Sequence, residues 1–339
     1  MSGIFQNREL SRRGFLQSSA HTAMAASTLT STLWAEERNG SKGEPESNVG
    51  RLFDSLTVGQ KKSVCFDWNY QDPQRGLLRT FIANNWNITR PEVKSEFYTL
   101  EQQALIRDIF EGIIQPDWHA RFDKQLKDDS GGFGHDQSIA IFGDPHSNQF
   151  EFVLTGRHMT LRCDGNSAPH VAFGGPIFYG HAASDFDEDA DHTGNVFWSQ
   201  AMAANRVASM LSGRQREKAL LPNSPEESAV EFGVKGAERP GLPIEDLSSD
   251  QREAMEGVLT KLIEPYRQVD QREVRDCLKA QGGLDACHLA FYRDEDIGGD
   301  EVWDNWRLEG PAFVWYFRGS PHVHVWVNIA DDPRVPLNA

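Results

Sequence analysis

The chain has 339 residues, 39% of them hydrophobic, which is enough apolar surface for the cores of one or two domains. Its 50 acidic residues outnumber 34 basic ones, and the formal net charge of −16 disfavours binding to nucleic acid or to anionic membrane surfaces. No run of about 18 apolar residues occurs, so no membrane span is predicted.

The first predicted segment is an export signal over residues 1–35. The sequence SRRGFL at residues 11–16 matches the twin-arginine pattern Ser-Arg-Arg-x-Phe-Leu. An Ala/Ser/Thr-rich stretch follows, and we expect cleavage after Ala35, with region 23–26 as the alternative. The signal predicts the twin-arginine export machinery as a partner and a periplasmic or extracellular location. Residues 36–50 are polar and are predicted to be a disordered leader.

The rest of the chain is predicted to be an internal duplication, with a first half at residues 51–200 and a second half at 201–333. Four segments of the first half match segments of the second half in the same order. Matching positions include three pairs at offsets of 155, 149 and 154 residues: Gln60 and Gln215, Gln102 and Gln251, and Leu154 and Leu308.

Each half is predicted to begin with a helix at the pattern Leu-Ser/Thr-x-x-Gln, in which the hydroxyl residue is the N-cap. A second, amphipathic helix follows, and its apolar stripe is Ile106, Ile109, Phe110 and Ile113 in one half and Met255, Leu259, Leu262 and Ile263 in the other. Strands at 138–145 and 287–294 precede hairpins that turn at Gly156 and Gly310, and a last strand closes each half. The prediction is an α+β fold of two similar helix-plus-antiparallel-sheet halves, packed as one pseudo-symmetric body.

The chain contains four cysteines. An exported protein can form disulfides, and the short loop between Cys277 and Cys287 permits a bridge. Cys65 and Cys163 are predicted to be buried thiols. No Cys-x-x-Cys pair occurs, which disfavours a thiolate zinc site.

The closing strand, within GSPHVHVWVNIADDP, places His322 and His324 two residues apart. Side chains alternate along a strand, so both imidazoles should point to the same face. Imidazoles bind zinc, copper or iron, and His158, two residues past Gly156, is the predicted third ligand from the other half. A single transition-metal site between the halves is therefore predicted, with a metal-free polar pocket or structural histidines as alternatives. If the site is hydrolytic, Glu309 is the candidate base.

Two further segments bear on function. SDFDEDADHTGNV at residues 184–196 resembles a calcium loop at its first positions but lacks the required glycine and final glutamate, which excludes an EF-hand. A solvated acidic loop is predicted, and a looser calcium contact is left open. Trp306, Ala312, Val314 and Tyr316 are predicted to share a face, for core packing or for stacking on a glycan or small-molecule ligand. The second interpretation predicts a non-catalytic cell-envelope binding or scaffold protein.

Several motifs together resemble one bacterial family, the domain of unknown function 3500. They are PGLPIEDLSSDQR, IFGDP, the Leu-x-Gly-x-His hairpin, PIFYG, WRLEGP and the closing His-x-His strand, and the resemblance covers roughly residues 50–333. It implies a fold family but no activity. The family hairpin often reads Gly-His-His, whereas this chain has Arg157 before His158, which implies a dispensable histidine or an altered site. The closing tryptophan, Trp326, lies one place earlier than in the family pattern.

Overall fold

The computed structural model describes residues 44–183, 188–233 and 239–335. The predicted signal at residues 1–35 lies outside this range. Within it, the chain forms a mixed structure of eight α-helices and a large, mostly antiparallel sheet, in agreement with the predicted α+β class. Among the described residues, no helix has the length and apolar character needed to cross a membrane.

The described residues contain eight α-helices. They are α1 (Pro45–Ser55), α2 (Val58–Val64), α3 (Leu100–Gly112), α4 (His119–Ser130), α5 (Trp198–Met210), α6 (Gly213–Ala219), α7 (Ser249–Ile263) and α8 (Gln268–Ala280). In α2, α3, α6 and α7 the N-cap hydroxyl accepts a hydrogen bond from the N–H of a glutamine three residues later, and that glutamine's side chain accepts one from the cap N–H. The Ser/Thr-x-x-Gln pattern therefore marks helix starts.

Eleven of the described strands form one sheet. The strands are β1 (Cys65–Phe66), β2 (Gln71–Asp72), β3 (Gly76–Leu77), β4 (Gln137–Asp144), β5 (Gln149–Gly156), β6 (Met159–Cys163), β7 (Ile177–His181), β8 (Leu220–Leu221), β9 (Leu242–Pro243), β10 (His288–Tyr292), β11 (Asn305–Gly310), β12 (Phe313–Arg318) and β13 (Val323–Ile329). The sheet order is β1-β4-β5-β6-β7-β13-β12-β11-β10-β8, with β9 beside β10 and with β2 and β3 as a separate ribbon. The antiparallel pair β7 and β13 is the centre of the sheet.

The predicted strands at 138–145 and 287–294 correspond to β4 and β10, and hairpins turn after Gly156 and Gly310. Helices α4, α5 and α8 were not predicted, and neither were the short strands β1 and β8, which pair in parallel with β4 and β10. The prediction that the leader extends to residue 50 is wrong from Pro45 onward. That segment is helical because Val49 and Leu52 are fully buried in the core.

The sheet is buried on both faces. Most helices pack on one face, together with Trp306 and Phe317, whose stacked rings lie 5.5 Å apart. Loop segments cover the other face, where Tyr316 packs near Val230. The predicted common face for Trp306 and Tyr316 is therefore wrong: Trp306 pairs with Phe317 across β11 and β12, and neighbouring residues on a strand face opposite sides.

All four cysteines are free thiols, so the bridge that the sequence permits between Cys277 and Cys287 is not present. Both of these cysteines are buried. Burial is the main reason that the pKa of each thiol is raised to about 12. Thiols of this kind are unreactive at neutral pH and serve as small core side chains. Of the two predicted buried thiols, Cys163 is buried and Cys65 is half-buried.

Candidate metal centre

The structure brings the three predicted histidines together. His324 lies in β13 and His322 directly precedes that strand. The Nε2 atom of His158 is 3.2 Å from Nε2 of His322 and 3.1 Å from Nε2 of His324. One nitrogen of each ring lies within 4.8 Å of the other two, a grouping that is suited to a metal ion. That these nitrogens bind metal stays a prediction.

Gly180 explains how side chains two strands apart can touch. It pairs with His324 on one side and donates its N–H to the carbonyl of His158 on the other. Strands lie about 4.8 Å apart, so the backbones of these histidines are about 10 Å apart and their rings lean over the glycine between them. A Cβ atom at Gly180 would lie 3.4 Å from both imidazole side chains and 2.3 Å from the carbonyl oxygen of Val323. The site therefore requires glycine here.

His158 has a left-handed backbone conformation, with φ at 54°. Residues other than glycine seldom adopt this conformation, and it costs about 1–3 kcal/mol unless the surroundings enforce it. Here the His158 N–H donates to the carbonyl of Asn84, and its carbonyl accepts from Gly180. The ring is directed inward from the turn between β5 and β6, with only 4% of the residue exposed.

A buried carboxylate orients the His158 ring. Nδ1 of His158 lies 2.9 Å from Oδ2 of Asp129, near the end of α4. Gln125 also donates to Oδ2, while Ala182 donates its backbone N–H to Oδ1. Burial opposes ionisation of Asp129, but these hydrogen bonds, led by His158, lower its pKa below the ordinary value. The ionised carboxylate fixes the Nδ1–H tautomer and leaves Nε2 with a free lone pair.

A second carboxylate does the same for His324. Its Nδ1 lies 2.5 Å from Oε1 of Glu227, in the loop that covers the sheet. Asn84 and Trp326 donate to the same oxygen, and the Arg318 guanidinium is 3.7 Å from Oε2. Although burial opposes ionisation, the hydrogen bond from His324 and the effects of Arg318 and Trp326 lower the pKa of Glu227 to about 2. Two of the three rings are thus held by anionic partners.

The third ring, His322, is partly exposed beside a small cleft. Burial, followed by the neighbouring His324 and His158 rings, lowers the pKa of His322 to about 4. Its imidazole is therefore neutral at pH 7, which is the form that binds metal. His181, Asn195 and Pro321 also line the cleft, and Nε2 of His181 lies 3.0 Å from Oδ2 of Asp128. The cleft has room for about one water molecule, which would lie next to His322.

The spacing of the rings suits a single ion. An ion with metal–nitrogen bonds of about 2.1 Å could be bound by Nε2 of His158 together with Nε2 of either neighbouring ring. Three imidazoles, two of them with a carboxylate behind the ring, also make the arrangement of ligand and outer partner that is usual for zinc.

Neither of the two carboxylates behind the rings, Asp129 and Glu227, was predicted from the sequence. Asp128 and Asp129 stand near the C-terminus of a helix, where the dipole disfavours acidic groups, and this was an available signal. Glu227 lies in an irregular loop and gave no signal. Glu309, the candidate base, lies outside the site. It pairs with Val314 of β12, which pairs with Asn328 of β13, and Asn328 is about 13 Å along that strand from His324. The Glu309 carboxylate forms an ion pair with Arg307.

The aromatic residues that could form a glycan-binding face are mostly buried. Trp306 and Trp315 are fully buried, and Trp326 is 3% exposed. The exposed large hydrophobic residues of the described chain are Val58, Leu100, Met210 and Val269, none of them aromatic. Stacking on a sugar requires an exposed ring. These observations give the binding-protein interpretation little support.

Comparison with known proteins gives a family but no activity. Residues 46–324 match the family described as "Protein of unknown function (DUF3500)", a range that includes all three histidines. No curated protein and no solved structure matches the chain.

Proposed function

The chain belongs to the DUF3500 family, whose description assigns no activity, and we propose that it is a mononuclear zinc protein with a hydrolytic site. The observation that carries the proposal is the convergence of three Nε2 atoms whose rings are held from behind by Asp129 and Glu227. Copper and iron accept the same ligands, and elemental analysis distinguishes the three ions.

The number of ligands favours a catalytic over a structural site. Within the described residues the group consists of three histidines, whereas structural zinc sites have four protein ligands. When bound, the ion would supply Lewis-acid chemistry at an open position. The chain's own contribution is to hold the Nε2 atoms of the three rings together and to hold His181, with Asp128 behind it, at the edge of the cleft.

Elemental analysis of the purified protein tests the proposal. We expect about one equivalent of zinc per wild-type chain and less than about a tenth of that in His322→Ala and His324→Ala. His170→Ala is the matched control, since His170 is exposed and contacts Asp331. Unchanged metal content in the first two variants would contradict the assignment. Metal-free wild-type protein that also fails to take up zinc, copper or iron would refute it, and quenching of its tryptophan fluorescence by oligosaccharides would favour the aromatic-face alternative.

We also propose that the protein is exported by the twin-arginine machinery to the periplasm or the exterior, on the strength of SRRGFL at residues 11–16. The double variant Arg12→Lys, Arg13→Lys should remain in the cytoplasm with its signal uncleaved. Arg8→Lys, outside the motif, should be exported like wild type. Cell fractionation followed by mass spectrometry of the N-terminus measures both, and normal export of the double variant would contradict the proposal.

We propose further that the two halves arose by duplication. In support, each side of the central pair β7 and β13 has the same succession: three antiparallel strands and then a short parallel strand at the edge. Each side also has two capping-box helices whose glutamine side chains bond to each other. Superposition of residues 57–181 on residues 212–329 should match these elements in order, and a different order would contradict common descent.

A further inference from the structure

Arg157 stands beside the proposed metal centre. It lies in the turn between β5 and β6 and directly precedes His158. Its backbone forms an antiparallel bridge with Asn85, and the carbonyl of the neighbouring Asn84 accepts the N–H of His158. The arginine is half-buried, so part of its side chain is already removed from water. A cationic residue is thus fixed one peptide bond away from a proposed metal ligand.

The guanidinium of Arg157 has no partner in the part of the chain that the structure describes. It takes part there in no hydrogen bond, no ion pair and no contact with an aromatic ring. Half-buried arginines elsewhere each pair with a carboxylate, for example Arg75, Arg107, Arg267 and Arg318. A guanidinium has five N–H donors and keeps its charge at any physiological pH, so a half-buried one without an anion is under-satisfied.

The charges around the proposed centre also leave Arg157 uncompensated. A divalent ion on the three rings would be balanced by the carboxylates behind them, Asp129 and Glu227. The neighbouring ion pairs balance internally: Arg318 with Glu295, and Lys124 with Asp128. The positive charge of Arg157 is therefore left over, and a bound anion would neutralise it.

Solvent reaches the centre on the side of His322. His158 is 4% exposed and the Asp129 side chain behind it is fully buried, whereas His322 is half-buried. Burial and the neighbouring rings lower the pKa of His322, and the charge of Arg157 adds to their effect. A ligand that approaches beside His322 therefore enters the field of the arginine.

We propose that Arg157 recognises an oxyanion, and that the substrate of the proposed zinc site therefore carries a carboxylate or phosphate group. The inference rests on the proposed metal centre, since the ion would attract the same anion. The planar guanidinium matches both kinds of group with two parallel hydrogen bonds, and this fixes the orientation of the substrate. A neutral glycan would leave the cation without a counter-charge.

Cobalt(II) in place of zinc gives a spectroscopic test of the full chain, because its visible absorption changes when a further ligand joins the ion. We expect inorganic phosphate or acetate to change the spectrum of the cobalt-loaded wild type, and the anion that binds more tightly identifies the class of substrate. Neutral imidazole should change the spectrum as well, since it needs only the open position and not the arginine.

Two variants and a control separate the charge from the shape of the side chain. Arg157→Gln should weaken binding of the preferred anion by more than about tenfold, while cobalt content and imidazole affinity stay as in wild type. Arg157→Lys keeps the charge but loses the planar fork, so it should weaken binding by less. Arg214→Gln, which removes an exposed charge on α6 near the far edge of the sheet, should bind like wild type.

The outcomes distinguish this inference from the metal proposal. Equal anion affinity in Arg157→Gln and wild type, or no response of cobalt-loaded wild type to either anion, would overturn the inference and leave the metal centre standing. An equal loss of imidazole affinity in Arg157→Gln would show that the arginine only supports the position of His158, and this too would overturn it. Wild-type protein that takes up no cobalt would refute the metal centre, and anion recognition by the centre with it.

Discussion

At the scale of the residue, the orientation of the rings is set by carboxylates that are not themselves ligands. Asp129 binds Nδ1 of His158 and is anchored by two further hydrogen bonds, so its charge is fixed in place. A ligand held in this way has one tautomer and a more basic Nε2. The strength of metal binding should therefore depend on residues that never touch the metal.

We expect Asp129→Asn to weaken zinc binding by about 10–100-fold, because asparagine can no longer supply the negative charge behind His158. Competition titration with a chromophoric chelator measures the affinity. Asp123→Asn is the matched control: Asp123 lies on the same helix but pairs with Arg107. An Asp129→Asn protein that binds zinc as tightly as wild type would show that this contact is only structural.

The sequence predicted the histidines but not their surroundings. The alternation of side chains along a strand was sufficient to give His322 and His324 a common face. Gly180 and Glu227 could not be predicted, because their roles depend on strand pairing and on the path of a loop, both of which are non-local. Local periodicity contains no information about which strand lies beside which.

At the scale of the element, pairs of capping-box glutamines connect helices that are distant in sequence. The side-chain amide of Gln215 donates to Gln251 at 2.9 Å, and Gln251 donates back at 3.0 Å and also to the carbonyl of Met210. Gln60 of α2 and Gln102 of α3 bond to each other in the same reciprocal way. The local cap was predictable from Ser/Thr-x-x-Gln, whereas the contact between caps was not, since it requires both helix starts to meet in space.

This pairing predicts a measurable coupling. Gln251→Ala should lower the free energy of unfolding by about 1–2 kcal/mol, since it removes the acceptor of the Ser248 N–H in the capping box and one of the two acceptors of the Gln215 amide. In a double-mutant cycle with Gln215→Ala, we expect a coupling of about 0.5–1 kcal/mol from urea unfolding curves. The Gln60 and Gln102 pair serves as an internal replicate. Additive effects in both cycles would mean that the amide contacts contribute nothing beyond the separate caps.

At the scale of the whole molecule, the centre of the sheet joins strands from distant parts of the chain. Val325 of β13 pairs with Tyr179 of β7, whereas each hairpin pairs neighbours in sequence. Hairpins were predictable because turn and alternation are local signals. The central pair, which creates the histidine site, was only an expectation that strands from the two predicted halves meet, because the pairing of distant strands has no local signal.

Two buried acids, Asp164 and Asp270, make the stability of the protein depend on pH. Burial, followed by the charge of Glu151, raises the pKa of Asp164 to about 7. An acid whose pKa is raised on folding binds more protons in the folded than in the unfolded state. Its stabilising contribution is therefore complete below about pH 4 and is lost as the pH rises through 7. Burial acts in the same direction on Asp270, whose pKa is raised to about 6.

Asp164→Asn should remove this pH-dependent loss of stability, because asparagine cannot ionise. Its side-chain oxygen can still accept the N–H of Ala168, which donates to the Asp164 carboxylate in the wild type. Between pH 4 and 7 the free energy of unfolding of wild type should fall relative to the variant by at most about 4 kcal/mol. Urea unfolding in EDTA, followed by tryptophan fluorescence, measures the difference, and other titrating groups cancel in the comparison. The free energy of unfolding of Asp117→Asn, a change at an exposed position, should vary with pH as that of wild type does. A constant difference between wild type and Asp164→Asn over this range would mean that Asp164 is ionised throughout, with a cationic neighbour such as Arg162 compensating its charge.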